Sequence, residues 1–149
     1  MENKYCKVCF NPIEPSSPLT VFLSPVICDS CLAKRKFHFN KEKISELNIF
    51  SIYYHDDVLM QWLYQYKTIC DYELRSVFLT PFELLFKFLT LNKIVIPLPS
   101  TDESIQKRGF NHLIGILESA NIRYLDILGK TAGPVQKDLT LEDRKKSKR

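Results

Sequence analysis

Apolar positions along the chain follow two periods, and the change between them marks the elements. Phe50, Ile52 and Tyr54 fall in a β-branched and aromatic stretch, residues 50–54, that reads as a strand. Val58, Leu59, Trp62, Leu63 and Tyr66 then recur at helical spacing, with Asp56 or Asp57 placed to cap the helix they define. Asp71 is placed to cap a second helix that carries Leu74, Val77 and Phe78 on one face. Thr80-Pro81-Phe82-Glu83 reads as a capping box with proline at the first helical position. That predicts a break near Thr80 and a further helix to about Leu91. The aromatic crowding in this region (Trp62, Tyr64, Tyr66, Phe78, Phe82, Phe86, Phe88) reads as core packing rather than as a platform for stacking bases.

The run Ile94-Val95-Ile96-Pro97-Leu98-Pro99 is apolar, β-branched and stopped by two prolines, as a buried strand stops at the edge of a sheet. Eight mostly polar residues follow, ending in Lys107, then Arg108, Gly109 and a helix over 111–119 with Leu113, Ile116 and Leu117 facing inward. Residues 124–128 read as a second short strand. One helix between two strands implies a parallel pair. In open α/β sheets ligands sit at the carboxyl ends of strands, so the loop carrying Lys107 and Arg108 is a candidate anion site. The competing reading is an ordinary strand-to-helix connection with a solvated basic pair. Residues 32–50 form a basic connection with room for a short helix or strand.

The cysteines add chemistry that periodicity does not show. Cys6-Lys-Val-Cys9 and Cys28-Asp-Ser-Cys31 are two C-x2-C pairs with 18 residues between them, the spacing of a zinc ribbon. Two residues between cysteines let both sulfurs of a turn reach one ion, and two such turns complete a tetrahedron. A segment this small buries little, so metal would supply its folding energy. Cys6, Cys9, Cys28 and Cys31 are therefore the expected ligands of a structural zinc. Cys70 reads as a small apolar residue, and His38, between two phenylalanines, as a packing or surface histidine, since four sulfurs already fill the shell.

Charge narrows the partners only a little. The chain has a net charge of +4, but residues 142–149 hold five basic and two acidic side chains and so account for three of those charges. Basic segments 34–43 and 144–149 are the places where a nucleic acid would be met. No stretch has the apolar core of a secretory signal or the ~20 apolar residues of a membrane helix. The expectation is a cytoplasmic protein with reduced thiols and no membrane insertion.

The order of these parts, a four-cysteine ribbon, an aromatic helical segment with Tyr66-Lys67, IVIPLP, Lys107-Arg108-Gly109-Phe110-Asn111 and a helix, then Lys130-Thr131, Gln136 and residues 139–144, resembles the ComF family of competence proteins. The resemblance runs from about Cys6 to Arg144. It implies an α/β fold, with a zinc ribbon over 1–40 followed by an incomplete type I phosphoribosyltransferase-like domain over 41–149 that ends in a mobile basic terminus. It implies a role in DNA uptake during natural transformation, with single-stranded DNA and a helicase-like protein as partners. It also places Leu98, Pro99 and Arg108 near where pyrophosphate would sit, and Lys130, Gln136 and Arg144 in a loop that closes over it. The family's later strand, ending in two acidic residues and a Thr/Gly-rich loop that cradles a 5-phosphate, has no counterpart in this sequence. The chain therefore reads as truncated, without transferase activity and without phosphoribosyl pyrophosphate or magnesium as cofactor. Two alternatives stand beside this reading: a zinc-ribbon module that binds single-stranded DNA or an uptake partner, and a non-functional remnant.

Overall fold

A computed structural model of the chain describes residues 5–14, 26–79 and 82–130. Among them a first helix, α1 (Asp29–Ala33), leads into a hairpin of β1 (Phe37–Ile44) and β2 (Leu47–Tyr53). Then come α2 (Asp57–Lys67), a 3-10 turn (Tyr72–Leu74), α3 (Arg75–Leu79), α4 (Glu83–Thr90), α5 (Asp102–Arg108) and α6 (His112–Ser119). This is a mixed helix-and-strand fold whose described sheet has two antiparallel strands.

The helices begin where short polar side chains satisfy free amides. The Asp56 carboxylate accepts from the Leu59 amide at 2.9 Å and opens α2. Thr101 accepts from the Ser104 amide at 3.3 Å and opens α5, and Asn111 accepts from the Leu113 amide at 3.2 Å and opens α6. Gly109 closes α5 with φ of 80°, a left-handed conformation that glycine takes at no steric cost. Asp71 precedes the 3-10 turn but makes no capping bond with its side chain. Thr80 and Pro81, expected to form a capping box, lie outside the described residues.

The core gathers Trp62 and Tyr66 from α2, Leu74, Val77, Phe78 and Leu79 from the turn and α3, and Ile116 and Leu117 from α6, with Ala120 and Ile122 beyond it. Cys6, Ile27 and Cys31 belong to the same buried cluster, so the cysteine-bearing segment is continuous with the body of the fold. Arg35 bridges the two. It is only 5% exposed, its Nη1 donates to the Val77 carbonyl at 2.8 Å, and its guanidinium lies 4.0 Å from the Tyr53 ring centroid and 4.6 Å from that of Trp62. Its Nε and Nη2 have no hydrogen-bond partner, so two aromatic faces are its main compensation for lost water.

Two expectations about strands change. The basic stretch 37–44 is a full strand, paired to residues 47–53 with Lys41 opposite Phe50 and Ile44 opposite Leu47. Conversely, 93–97 and 124–128 form no ladder. One backbone bond joins them, the Leu125 amide to the Val95 carbonyl at 2.9 Å. Pro97 and Pro99 offer no amides, and Ile94 and Leu98 are each 71% exposed. Val95 and Pro97 turn toward the core, but without neighbouring strands the extended segment gains little from pairing. No described helix is long and apolar enough to cross a membrane.

Candidate functional site

Sulfur chemistry defines the first site. The chain turns tightly at Cys6, where the Cys6 amide donates to the Asn11 carbonyl and the Phe10 amide to the Cys6 carbonyl, both at 2.9 Å. Phe10 takes a left-handed φ of 61° to close the turn. The Val8 amide points at the Cys6 Sγ, 3.4 Å away. The Lys7 amide donates to the Val26 carbonyl at 2.9 Å, bringing the two cysteine pairs together. Cys28 stands at the start of α1, and Cys31 lies one turn in.

The four Sγ atoms of Cys6, Cys9, Cys28 and Cys31 lie within 4.8 Å of one another, and they are the described His, Cys, Asp and Glu side chains that group closely enough to hold a metal ion. Cys9 and Cys28 are 3.6 Å apart. A tetrahedral zinc with bonds of ~2.3 Å needs sulfurs roughly 3.8 Å apart, so the donor set is compatible with structural zinc. All four cysteines are free thiols. Burial alone pushes the Cys28 thiol up, but hydrogen bonds from Ser30, the Cys31 backbone and the neighbouring thiols outweigh it and bring the group down to about 6. Burial and the other thiols push Cys31 well above its usual range. Metal entry would displace protons from this cluster. His38 lies against Tyr54, ring centroids 4.2 Å apart and planes tilted by 40°, and takes no part. Cys70 is also separate, its thiol facing the Thr68 carbonyl at 3.7 Å.

The second site lies where α5 and α6 meet. Of the residues expected near an anion, Pro99 and Lys130 line one cavity of about 590 Å³. That cavity also presents Asp102, Glu103 and Asp126, so its walls are mainly acidic. Leu98 lines a separate, largely apolar cavity with Ile96 and Leu113. Arg108 turns back along its own helix, with Nε donating to the Ser104 carbonyl at 2.9 Å. Its Nη1 meets the His112 Nδ1 at 3.0 Å, and the Ser100 hydroxyl meets the same nitrogen at 3.1 Å. Gln136 and Arg144 lie outside the described residues.

Lys67 joins this cluster from the end of α2. Burial pushes its ammonium down, and Arg108 adds to that. Burial, then Lys67 and Arg108, hold the His112 imidazole down at about 4, so it stays neutral with Nδ1 as an acceptor. Among the described ion pairs, none includes Lys67 or Arg108. The Tyr66 hydroxyl donates to the His112 carbonyl at 2.8 Å, and so ties α2 to α6 at this point. Lys67, Ser100 and His112 are the members that sequence reading missed. They are 33 and 12 positions apart, and the adjacency of Lys67 to Tyr66 and of His112 to Asn111 was the available signal.

A third surface carries aromatic and basic groups together. Phe39 and Phe50 are 54% and 44% exposed on the hairpin, with ring centroids 6.4 Å apart. Lys41 stands directly across from Phe50, and Lys43 follows on the same face. Exposed Lys34 and Lys36 lie just before the hairpin, whereas Arg35 between them is buried. The basic segment 34–43 is therefore a face from which Arg35 is withdrawn.

Comparison of the chain with protein-family models, with curated proteins and with solved structures finds no match in any of the three.

Proposed function

We propose that this chain is a zinc-clamped, ComF-type competence protein that handles single-stranded DNA as a binding scaffold, without transferase chemistry. The observation that carries this reading is the hairpin surface where the half-exposed Phe39 and Phe50, one resting against Phe82 and the other at the edge of the apolar cavity, stand beside Lys41 and Lys43. Single strands are held by rings on which bases stack and by cations that follow the backbone, a combination that tolerates any sequence. The metal contributes rigidity. Four thiolates hold the N-terminal turn and α1 against the core, and Arg35 fixes the start of the hairpin to Tyr53 and Trp62.

The experiment is a fluorescence-anisotropy titration of the zinc-loaded chain with a 20-nucleotide oligothymidine at several salt concentrations. Binding should weaken with salt, with a log–log slope of about −0.7 per phosphate contacted. Phe39→Ala with Phe50→Ala should lower affinity at least tenfold, since each base–aromatic stack is worth about 1–3 kcal/mol. No binding at low salt removes the reading.

A second reading rests on Arg108 and the neutral His112 imidazole beside Ser100, with the Lys67 charge felt at this group and neither cation in a described ion pair. Such a group suits a small phosphate-bearing anion bound without transfer. Calorimetric titration with phosphoribosyl pyrophosphate and magnesium tests it. Heat that disappears in Arg108→Gln favours this reading, and no heat eliminates it.

A further inference from the structure

At the other end of α6 from Arg108, the C-terminal ends of α4 and α6 border an open cavity of about 480 Å³. Lys87, Lys93 and Arg123 line it, with Thr90, Asn92 and Asn121, and no carboxylate does. Lys87 pairs with Glu83 on its own helix. Lys93 and Arg123 take part in none of the described ion pairs.

Cations near helix C-termini ordinarily serve the unpaired carbonyls there. At this cavity that work is already done by turn amides. The Phe88 carbonyl accepts from Leu91 at 3.3 Å and that of Thr90 from Lys93 at 2.9 Å. The Leu117 carbonyl accepts from Ala120 at 3.2 Å and from Ile122 at 3.0 Å, and that of Glu118 from Asn121 at 3.0 Å. Asn92 and Asn121 make these turns in left-handed conformations, with φ of 59° and 50°. Lys93 and Arg123 are thus left without a structural partner among the described residues. The two helix ends together present roughly one negative charge, since each is equivalent to about half a charge. Lys87, Lys93 and Arg123 outweigh it even with Glu83 counted.

We infer that this cavity binds a tetrahedral phosphate-class oxyanion, gripped by Lys93 and Arg123 and bordered by Asn92 and Asn121. The phosphate chemistry fits either a free phosphate or one phosphate of a nucleic-acid backbone, because both present oxygens that accept charge-assisted hydrogen bonds.

The test uses the zinc-loaded full chain and amide NMR spectra recorded during titration with inorganic phosphate and, separately, with the 20-nucleotide oligothymidine. Saturable shifts at residues 90–93 and 121–123 are expected, and Lys93→Ala with Arg123→Ala should weaken the binding at least tenfold. Both side chains are exposed, so the variant's unchanged spectrum elsewhere verifies its fold. Shifts with inorganic phosphate identify a free-anion site, and shifts with the oligonucleotide alone identify a backbone contact. Either supports the inference. No shift with either ligand, or full affinity in the double variant, overturns it. The Phe39 and Phe50 variants separate this site from the hairpin, since loss of oligonucleotide binding there leaves the response to inorganic phosphate intact.

Discussion

Arg35 shows how much one side chain can do away from any ligand. Its guanidinium gives up water for two aromatic faces and one carbonyl. Truncation to alanine should lower stability by about 2 kcal/mol through lost cation–π contact and stem packing, measured by urea denaturation. Gly115 makes the opposite case, where an atom would be gained. A Cβ there would stand 2.9 Å from the Tyr66 hydroxyl oxygen and 3.1 Å from the Tyr72 ring. Gly115→Ala should therefore destabilise the fold by about 1–3 kcal/mol, as overpacking does, and should disturb the Tyr66 bond to His112. His112 itself sets a pH response. Its pKa falls from 6.5 to about 4 on folding, so the unfolded chain takes up a proton that the folded one refuses. The contribution is nil above about pH 7, turns destabilising as pH falls through 6.5, and levels off below about 4. His112→Asn should flatten that part of a stability-against-pH curve, and an unchanged curve would refute the assignment.

At the level of helices and strands, local chemistry and long-range packing divide the work. Asp56 starts α2 through its bond to Leu59, and Asp56→Ala should cost about 1 kcal/mol in the same urea assay. The hairpin is less self-sufficient. A two-stranded ribbon is marginal in water, and here the Phe37, Phe39 and Tyr53 rings lean on Phe82, with centroids 5.1, 5.5 and 5.7 Å away. Only its first half alternates apolar with polar residues, Phe37 and Phe39 giving way to Lys41 and Lys43 at the same alternate positions, a weak strand signal that is why 37–44 read as a connection. The segment at 93–97 carried a strong strand signal and did not pair. β-propensity measures fit to a half-buried pleated surface, and Ile94, at 71% exposed, has no such surface to meet.

For the assembled protein, the decisive matter is whether the cysteine cluster and the helical body stand or fall together. Cys6, Ile27 and Cys31 share a buried cluster with Trp62, and Trp62 is the chain's single tryptophan. Purified protein should carry about one zinc. Chelation, or Cys9→Ser, should then both lower the melting temperature and shift tryptophan emission to the red as Trp62 meets water. Emission and melting that ignore the chelator would mean the sulfurs do not clamp this fold. The two cysteine pairs, a cap at Asp56 or Asp57 and the helical spacing of Trp62 and Tyr66 were all legible from residues a few positions apart, because turns, caps and helical faces are made over such distances. The sandwich of Arg35, the gathering of Lys67 with Arg108 and His112, and the emptiness of the ladder at 93–97 depend on groups tens of residues distant. Burial, desolvation and strand pairing arise when those groups meet in space, so the folded chain alone could show that Arg35 lies buried while Lys93 and Arg123 stay exposed.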